Sequence, residues 1–224
     1  MMAFTSSALA FLLLLGSMAC QRPETTVLDK DVIDFRVLFQ QNCSGCHGAE
    51  GREGPGRNLN DKEYLALIPK EALRHVIENG RPGTAMPAFA LANGGSLYPA
   101  QATALVEGIE REWAKPVNFG GVTLPPYSAE GETGNPEIGK DLFKRVCFAC
   151  HGNGAPVGRV TDPEYLNLVS DQWLRTSIIA GRSDLGMQDW RSVRPGSPLS
   201  NAEISDLVAY LSSLRPSSGS QDTH

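Results

Sequence analysis

Two pentapeptides constrain this chain more than anything else in it: Cys43-Ser44-Gly45-Cys46-His47 and Cys147-Phe148-Ala149-Cys150-His151. In each, two cysteines three positions apart share one turn and a histidine follows at once. That spacing lets two thiols add to the two vinyl groups of a porphyrin while the adjacent imidazole reaches the iron from one face. It is the attachment signature of c-type haem. A single copy would read equally well as half of a zinc site. Two copies in register point instead to two covalent haem c groups, held by Cys43, Cys46, Cys147 and Cys150, with His47 and His151 as iron ligands.

The motifs belong to a longer duplication. Asp61-Lys62-Glu63-Tyr64-Leu65-Ala66-Leu67 returns as Asp162-Pro163-Glu164-Tyr165-Leu166-Asn167-Leu168. At the same spacing Leu73 meets Leu174, Ile77 meets Ile178, Gly80-Arg81 meets Gly181-Arg182, and Met86 meets Met187. Residues 31–42 and 137–146 read as amphipathic helices leading into each motif. Lys70–Asn79 is a helix stopped by Gly80, and Asp171–Ala180 is one started by Ser170 and stopped by Gly181. Ser200 and Glu203 form a capping box for the last helix, where the first copy uses Pro99 instead. Gly48–Leu59 and Gly152–Val160 are Gly/Pro-rich loops, and no run alternates like a strand. The expected fold is all-α: module 1 over 31–113, module 2 over 137–215, a Pro/Gly-rich and partly extended linker at 114–136, and a disordered tail at 216–224. Each module has roughly eighty residues, too few for an ample apolar core, so the haem is expected to supply the missing hydrophobic mass.

An iron held only by His47 or His151 has an open sixth position. Beyond the leader the chain has two methionines, Met86 and Met187, each following its Gly-Arg pair by the same interval. Thioether sulfur opposite histidine is an established haem ligand that raises the reduction potential. The alternative is a gap-filling core methionine, which does not account for the shared register. His75 competes as a ligand, but its counterpart is Thr176, so it is read as a helix-surface or haem-edge residue. Arg81 and Arg182 are candidates to pair with haem propionates, as guanidinium suits carboxylate; the alternative is a solvated loop arginine.

The fifth cysteine, Cys20, ends an apolar leader running from Ala8 to Ala19. That run is shorter than the ~20 apolar residues of a spanning helix but suits a signal-peptide core over 1–19. Ala19-Cys20 resembles the cleavage site of bacterial lipoproteins, in which the cysteine is lipidated and tethers the protein through a segment here spanning 20–30. The alternative is ordinary secretion with Cys20 unmodified. Both readings put the protein on the periplasmic side of a bacterial membrane. With 20 Lys+Arg against 25 Asp+Glu the net charge is −5, which argues against a nucleic-acid partner.

Each half resembles a class I cytochrome c, and the pair resembles the diheme cytochromes c of the c4 kind. The segment Asn79-Gly80-Arg81-Pro82-Gly83-Thr84-Ala85-Met86-Pro87-Ala88-Phe89 reads like that family's ligand loop. The resemblance implies that the carbonyls of Pro55 and Pro156 accept the Nδ1–H of His47 and His151. It also implies a crossing of the first and last helices at a Gly–aromatic contact, Gly139 with Tyr210 in module 2 and Phe35 with Gly108, exchanged, in module 1. Met187 departs from the pattern, being followed by Gln188-Asp189-Trp190 rather than proline.

The expected function is single-electron relay between redox protein partners, without substrate chemistry. Two rivals stay open. One is a diheme enzyme, of peroxidase or thiosulfate dehydrogenase type; the other is a fixed subunit of a membrane respiratory or photosynthetic complex.

Overall fold

A computed structural model describes residues 29–155 and 157–216. The signal peptide, Cys20, Pro156 and the tail from 217 onward lie outside the described residues. Among the described residues ten α-helices fall into two sets of five. The first set is α1 (Phe35–Asn42), α2 (Ser44–His47), α3 (Lys62–Leu67), α4 (Lys70–Asn79) and α5 (Pro99–Trp113). The second is α6 (Pro136–Val146), α7 (Phe148–His151), α8 (Pro163–Asn167), α9 (Asp171–Ala180) and α10 (Asn201–Ser213). Among the described residues there are isolated β-bridges but no strands, so the all-α expectation holds.

The caps explain most boundaries. Ser200 Oγ accepts from the Glu203 amide at 3.2 Å while a Glu203 carboxylate oxygen accepts from the Ser200 amide at 2.8 Å, the reciprocal capping box expected. Ser170 caps α9 and Asp61 caps α3 through the amides of Trp173 and Tyr64. The expected start of the first helix at residue 31 is corrected to Phe35. Asp34 accepts from the Val37 amide at 2.9 Å and fixes the N-terminus there. The residues before it make a turn, the Val32 amide donating to the Asp29 carbonyl at 3.0 Å, and Gln101 pins that turn by donating to the Asp29 and Val32 carbonyls.

Each module is closed by the crossing of its first and last helices. At Gly108 of α5, a Cβ would lie 2.1 Å from Cγ of Phe35 on α1. At Gly139 of α6, a Cβ would lie 1.9 Å from the Asp206 carbonyl oxygen of α10 and 2.9 Å from Cβ of Tyr210. Small and large residues are thus exchanged between the two crossings. Phe35 and Phe39 pack edge-on against Trp113, with ring centroids 5.4 and 4.9 Å apart. Around these crossings Leu38, Leu105 and Ile109 in one module, and Leu142, Ile204 and Leu207 in the other, are buried. Each such side chain stabilises its module by about 1.5–3 kcal/mol relative to exposure.

The segment between α5 and α6 turns at Gly120-Gly121 and at Glu130-Gly131 and is strapped to module 2. Arg175, fully buried, donates through Nε to the Pro126 carbonyl at 2.9 Å. Gln172 donates to the Tyr127 carbonyl at 2.7 Å and accepts from the Ala129 amide at 2.9 Å. Arg191 Nη1 donates to the Asn118 carbonyl, and Phe119 packs on Trp190 with centroids 5.6 Å apart.

Candidate functional site

Cys43 ends α1 and caps α2, so Cys43, Cys46 and His47 are wound onto one turn, with the His47 amide donating to the Cys43 carbonyl at 2.9 Å. Module 2 repeats this, with the His151 amide on the Cys147 carbonyl at 2.9 Å. All four cysteines are free, and Cys46 and Cys150 are exposed. Burial, then the neighbouring cysteine, pushes the Cys43 and Cys147 thiols up to about 12. Among the described residues no three His, Cys, Asp or Glu side chains gather as they would around an ion held by protein ligands alone. Paired free thiols on a turn that ends in an imidazole fit a covalently attached porphyrin.

The imidazole is oriented from behind, by a residue other than the one expected. His47 Nδ1 lies 2.8 Å from the Arg57 carbonyl oxygen, not that of Pro55. The reason is a local turn: the Gly56 amide donates to the Cys46 carbonyl at 2.7 Å, which swings the chain so that the next carbonyl faces the ring, while Pro55 stays exposed. Burial holds the His47 pKa below its ordinary value and the Arg81 charge adds to this, against the opposing hydrogen bond to Arg57. A neutral ring that donates from Nδ1 keeps its Nε2 lone pair for a metal. His151 Nδ1 is buried without a partner among the described residues, which leave out Pro156.

The methionine loops share one frame. The Arg81 amide donates to the Met86 carbonyl at 3.0 Å, and the Arg182 amide to the Met187 carbonyl at 3.0 Å. Gly80 and Gly181 begin these loops with φ of 69° and 70°. After the methionine, the Phe89 amide reaches the Ile77 carbonyl and the Trp190 amide reaches that of Ile179. The Phe89 and Trp190 carbonyls in turn accept from Leu97 and Leu199. The missing proline after Met187 is therefore offset by similar backbone ties, the Trp190 amide landing one residue beyond Ile178, the repeat partner of Ile77, with Trp190 buried as the anchor. Both methionines are half-buried, whereas His75 is exposed on α4 against Asn79.

The two loops face each other across a seam where α3 packs against α9. Arg81 and Arg182 each place Cζ 5.9 Å from the Trp173 ring centroid. Arg182 is also forked onto Asp184, through Nε at 2.9 Å and Nη2 at 2.7 Å. Arg191 pairs with Asp189 of its own module and reaches Glu63 of the other at 3.6 Å. Arg57 is buried here, stacked 4.4 Å over the Tyr64 ring, with Nη2 donating to the Gly181 carbonyl at 3.2 Å. Sequence reasoning missed Arg57 because the duplication sets Gly158 opposite it, so no repeat marks it.

A family model described as "Cytochrome C oxidase, cbb3-type, subunit III" matches residues 31–107 and 134–211. The chain is 30% identical over 185 residues to the cbb3-type cytochrome c oxidase subunit CcoP of Rubrivivax gelatinosus, covering 81% of this chain and 54% of that protein. It is 31% identical over 126 residues to the cbb3-type cytochrome c oxidase subunit FixPc of Rhizobium leguminosarum bv. viciae, covering 52% and 38%. The chain thus spans about half the length, or less, of these relatives. Among solved structures it resembles a chain of the Kuenenia stuttgartiensis reducing HAO-like protein complex Kustc0457/Kustc0458, with TM-score 0.51 and 18% identity over 81% of this chain and 95% of that one. That likeness is one of fold.

Proposed function

The chain belongs to the cytochrome c family of cbb3-type oxidase subunit III, and on that premise we propose that it is a diheme electron carrier with His47/Met86 and His151/Met187 ligation. It is an electron-transfer protein with two cytochrome c modules, similar to CcoP. The finer reading is supported chiefly by one observation, the closure of each methionine loop by a hydrogen bond from the Arg amide to the Met carbonyl, Arg81 to Met86 and Arg182 to Met187. Two solitary methionines in one register on one backbone frame are better explained as ligands than as packing. Haem, when bound, supplies the one-electron Fe(II)/Fe(III) couple. The protein's part is to anchor it through four thioethers, to orient His47 from the Arg57 carbonyl, and to close the sixth position so that nothing exogenous binds.

The similarity to CcoP favours work beside a membrane oxidase, as donor or subunit. No helix among the described residues is long and apolar enough to cross a membrane. The attachment we propose is a lipid at Cys20, the residue that ends the apolar leader, on the periplasmic side. Mass spectrometry of the mature protein should find an acylated N-terminal Cys20; an unmodified cysteine ends that part of the proposal. The ligation is tested on the oxidised protein, whose weak near-infrared sulfur-to-iron band should integrate to two haems. Half that intensity, with a high-spin signal, would instead favour a diheme enzyme.

A further inference from the structure

Arg57 does two things at once. Its carbonyl orients His47 in module 1, while its guanidinium spans 124 residues of sequence to hold the Gly181 carbonyl in module 2. Arg57 as a residue is 5% exposed, yet its Nε and Nη1 are buried with no partner among the described residues. A buried donor left unpaired costs about 1–3 kcal/mol, and more when it is charged. The nearby acids do not satisfy it. Asp61 accepts from the Tyr64 amide and from Ser183 Oγ, and both Asp184 oxygens are engaged by Arg182. Asp189 and Glu63 are likewise taken up by Arg191, so no acid of the seam is hydrogen-bonded to Nε or Nη1 of Arg57. An oxygen anion is what two idle donors on a buried guanidinium accommodate.

We propose that Arg57 is a positioning residue for a haem carboxylate at the seam: its idle donors hold one propionate while Nη2 holds the second module through Gly181. This rests on the reading that both modules carry haem c. A buried cation fixed against that carboxylate compensates its negative charge and favours the reduced iron of the haem that bears it. Arg57 is also the one side chain of the seam whose backbone touches an axial histidine. The propionate, the His47 orientation and the module contact are then set by a single residue.

The test uses the full holoprotein as parent, Arg57→Gln and Arg57→Lys. Haem per chain is measured by pyridine haemochrome and each haem's potential by redox titration followed through its NMR-resolved haem methyl signals. The backbone carbonyl on His47 survives both substitutions, so haem loading should remain at two. In Arg57→Gln one haem should shift at least tenfold toward the ferric form, about 59 mV for one electron. Arg57→Lys should recover much of that shift, and the haem that moves identifies the propionate. Unchanged potentials in a fully loaded Arg57→Gln protein would overturn the proposal, as would a shift that lysine does not relieve. If Arg57→Gln does not assemble, resonance Raman comparison of parent and Arg57→Lys decides: a propionate-bending band that moves supports it, and identical bands overturn it. A parent carrying fewer than two haems would refute the diheme reading itself, a result separable from any effect of Arg57.

Discussion

Arg182 and Met187 exchange two backbone hydrogen bonds, each 3.0 Å, one in each direction. Arg81 and Met86 share only the first of these; the Met86 amide turns instead to Thr84 Oγ1 at 3.2 Å. The second loop, which lacks the proline after its methionine, is thus the one more fully closed on itself. Met187→Ala should leave that frame standing, because the bonds are main-chain. The variant should bind carbon monoxide at the second haem only, and Met86→Ala at the first only. Optical titration of the reduced proteins measures this. Uptake by the unsubstituted protein would overturn the closed-site reading.

The glycines that open these loops should not tolerate a side chain. At Gly80 a Cβ would stand 2.5 Å from the Pro87 carbonyl carbon, and at Gly181 2.7 Å from the Met187 carbonyl oxygen. Both residues have φ near 70°. Left-handed strain costs on the order of 1–3 kcal/mol at a non-glycine residue, and the backbone contact adds to it. Gly80→Ala and Gly181→Ala should each lower the thermal midpoint and weaken the near-infrared ligand band of their own haem. An alanine variant with the full band would show that the loop does not hold the methionine.

Much of this arrangement was legible in the sequence. The pentapeptides, the two methionines and the Gly-Arg pairs are short-range patterns whose spacing reflects one turn or one loop, so the chain alone exposes them. The helix crossing followed from the resemblance to class I cytochromes c and not from the residues alone: the resemblance set Gly139 against Tyr210 and Phe35 against Gly108, where the structure has them. The carbonyl on His47 was not. Choosing between Pro55 and Arg57 depends on where the Gly56 amide bonds, a matter of loop geometry that composition does not encode. The seam was equally hidden: Arg57, Trp173, Asp184 and Glu63 meet only after two modules dock, and no repeat flags an asymmetric contact. Nor do the shared motifs separate the c4 kind from a cbb3-type subunit.

Acid should loosen the last helix at a defined point. The Arg194 guanidinium beside Glu203, at 2.7 Å, lowers the Glu203 pKa from 4.5 to about 2, helped by the Ser200 amide. A carboxylate held below its unfolded value contributes stability that is complete above 4.5 and fades as the pH falls towards 2. Thermal midpoints should therefore fall across that window in the parent. Glu203→Gln, which keeps the capping geometry but cannot ionise, should fall less steeply. Glu203→Ala should cost about 1 kcal/mol at neutral pH, the usual worth of a helix cap. Equal slopes for the parent and Glu203→Gln would show that the pair contributes nothing in acid.

The two helix crossings should respond differently to the same substitution. Alanine at Gly108 would meet a side chain, the Phe35 ring, at 2.1 Å; alanine at Gly139 would meet main chain, the Asp206 carbonyl, at 1.9 Å. A ring can be shortened or turned, whereas a helix carbonyl moves only with its helix. In each case alanine gains about 1 kcal/mol of helix propensity over glycine, set against an overpacking cost of about 1–3 kcal/mol where the neighbour yields and more where it does not. Gly139→Ala should therefore destabilise its module more than Gly108→Ala destabilises the other. Adding Phe35→Leu should restore part of the Gly108→Ala loss, while adding Tyr210→Ala should not restore Gly139→Ala. Denaturant unfolding of the four variants, followed by helix circular dichroism, tests the pair. Rescue at Gly139 by Tyr210→Ala would mean that the tyrosine, and not the backbone of α10, sets how closely those helices approach.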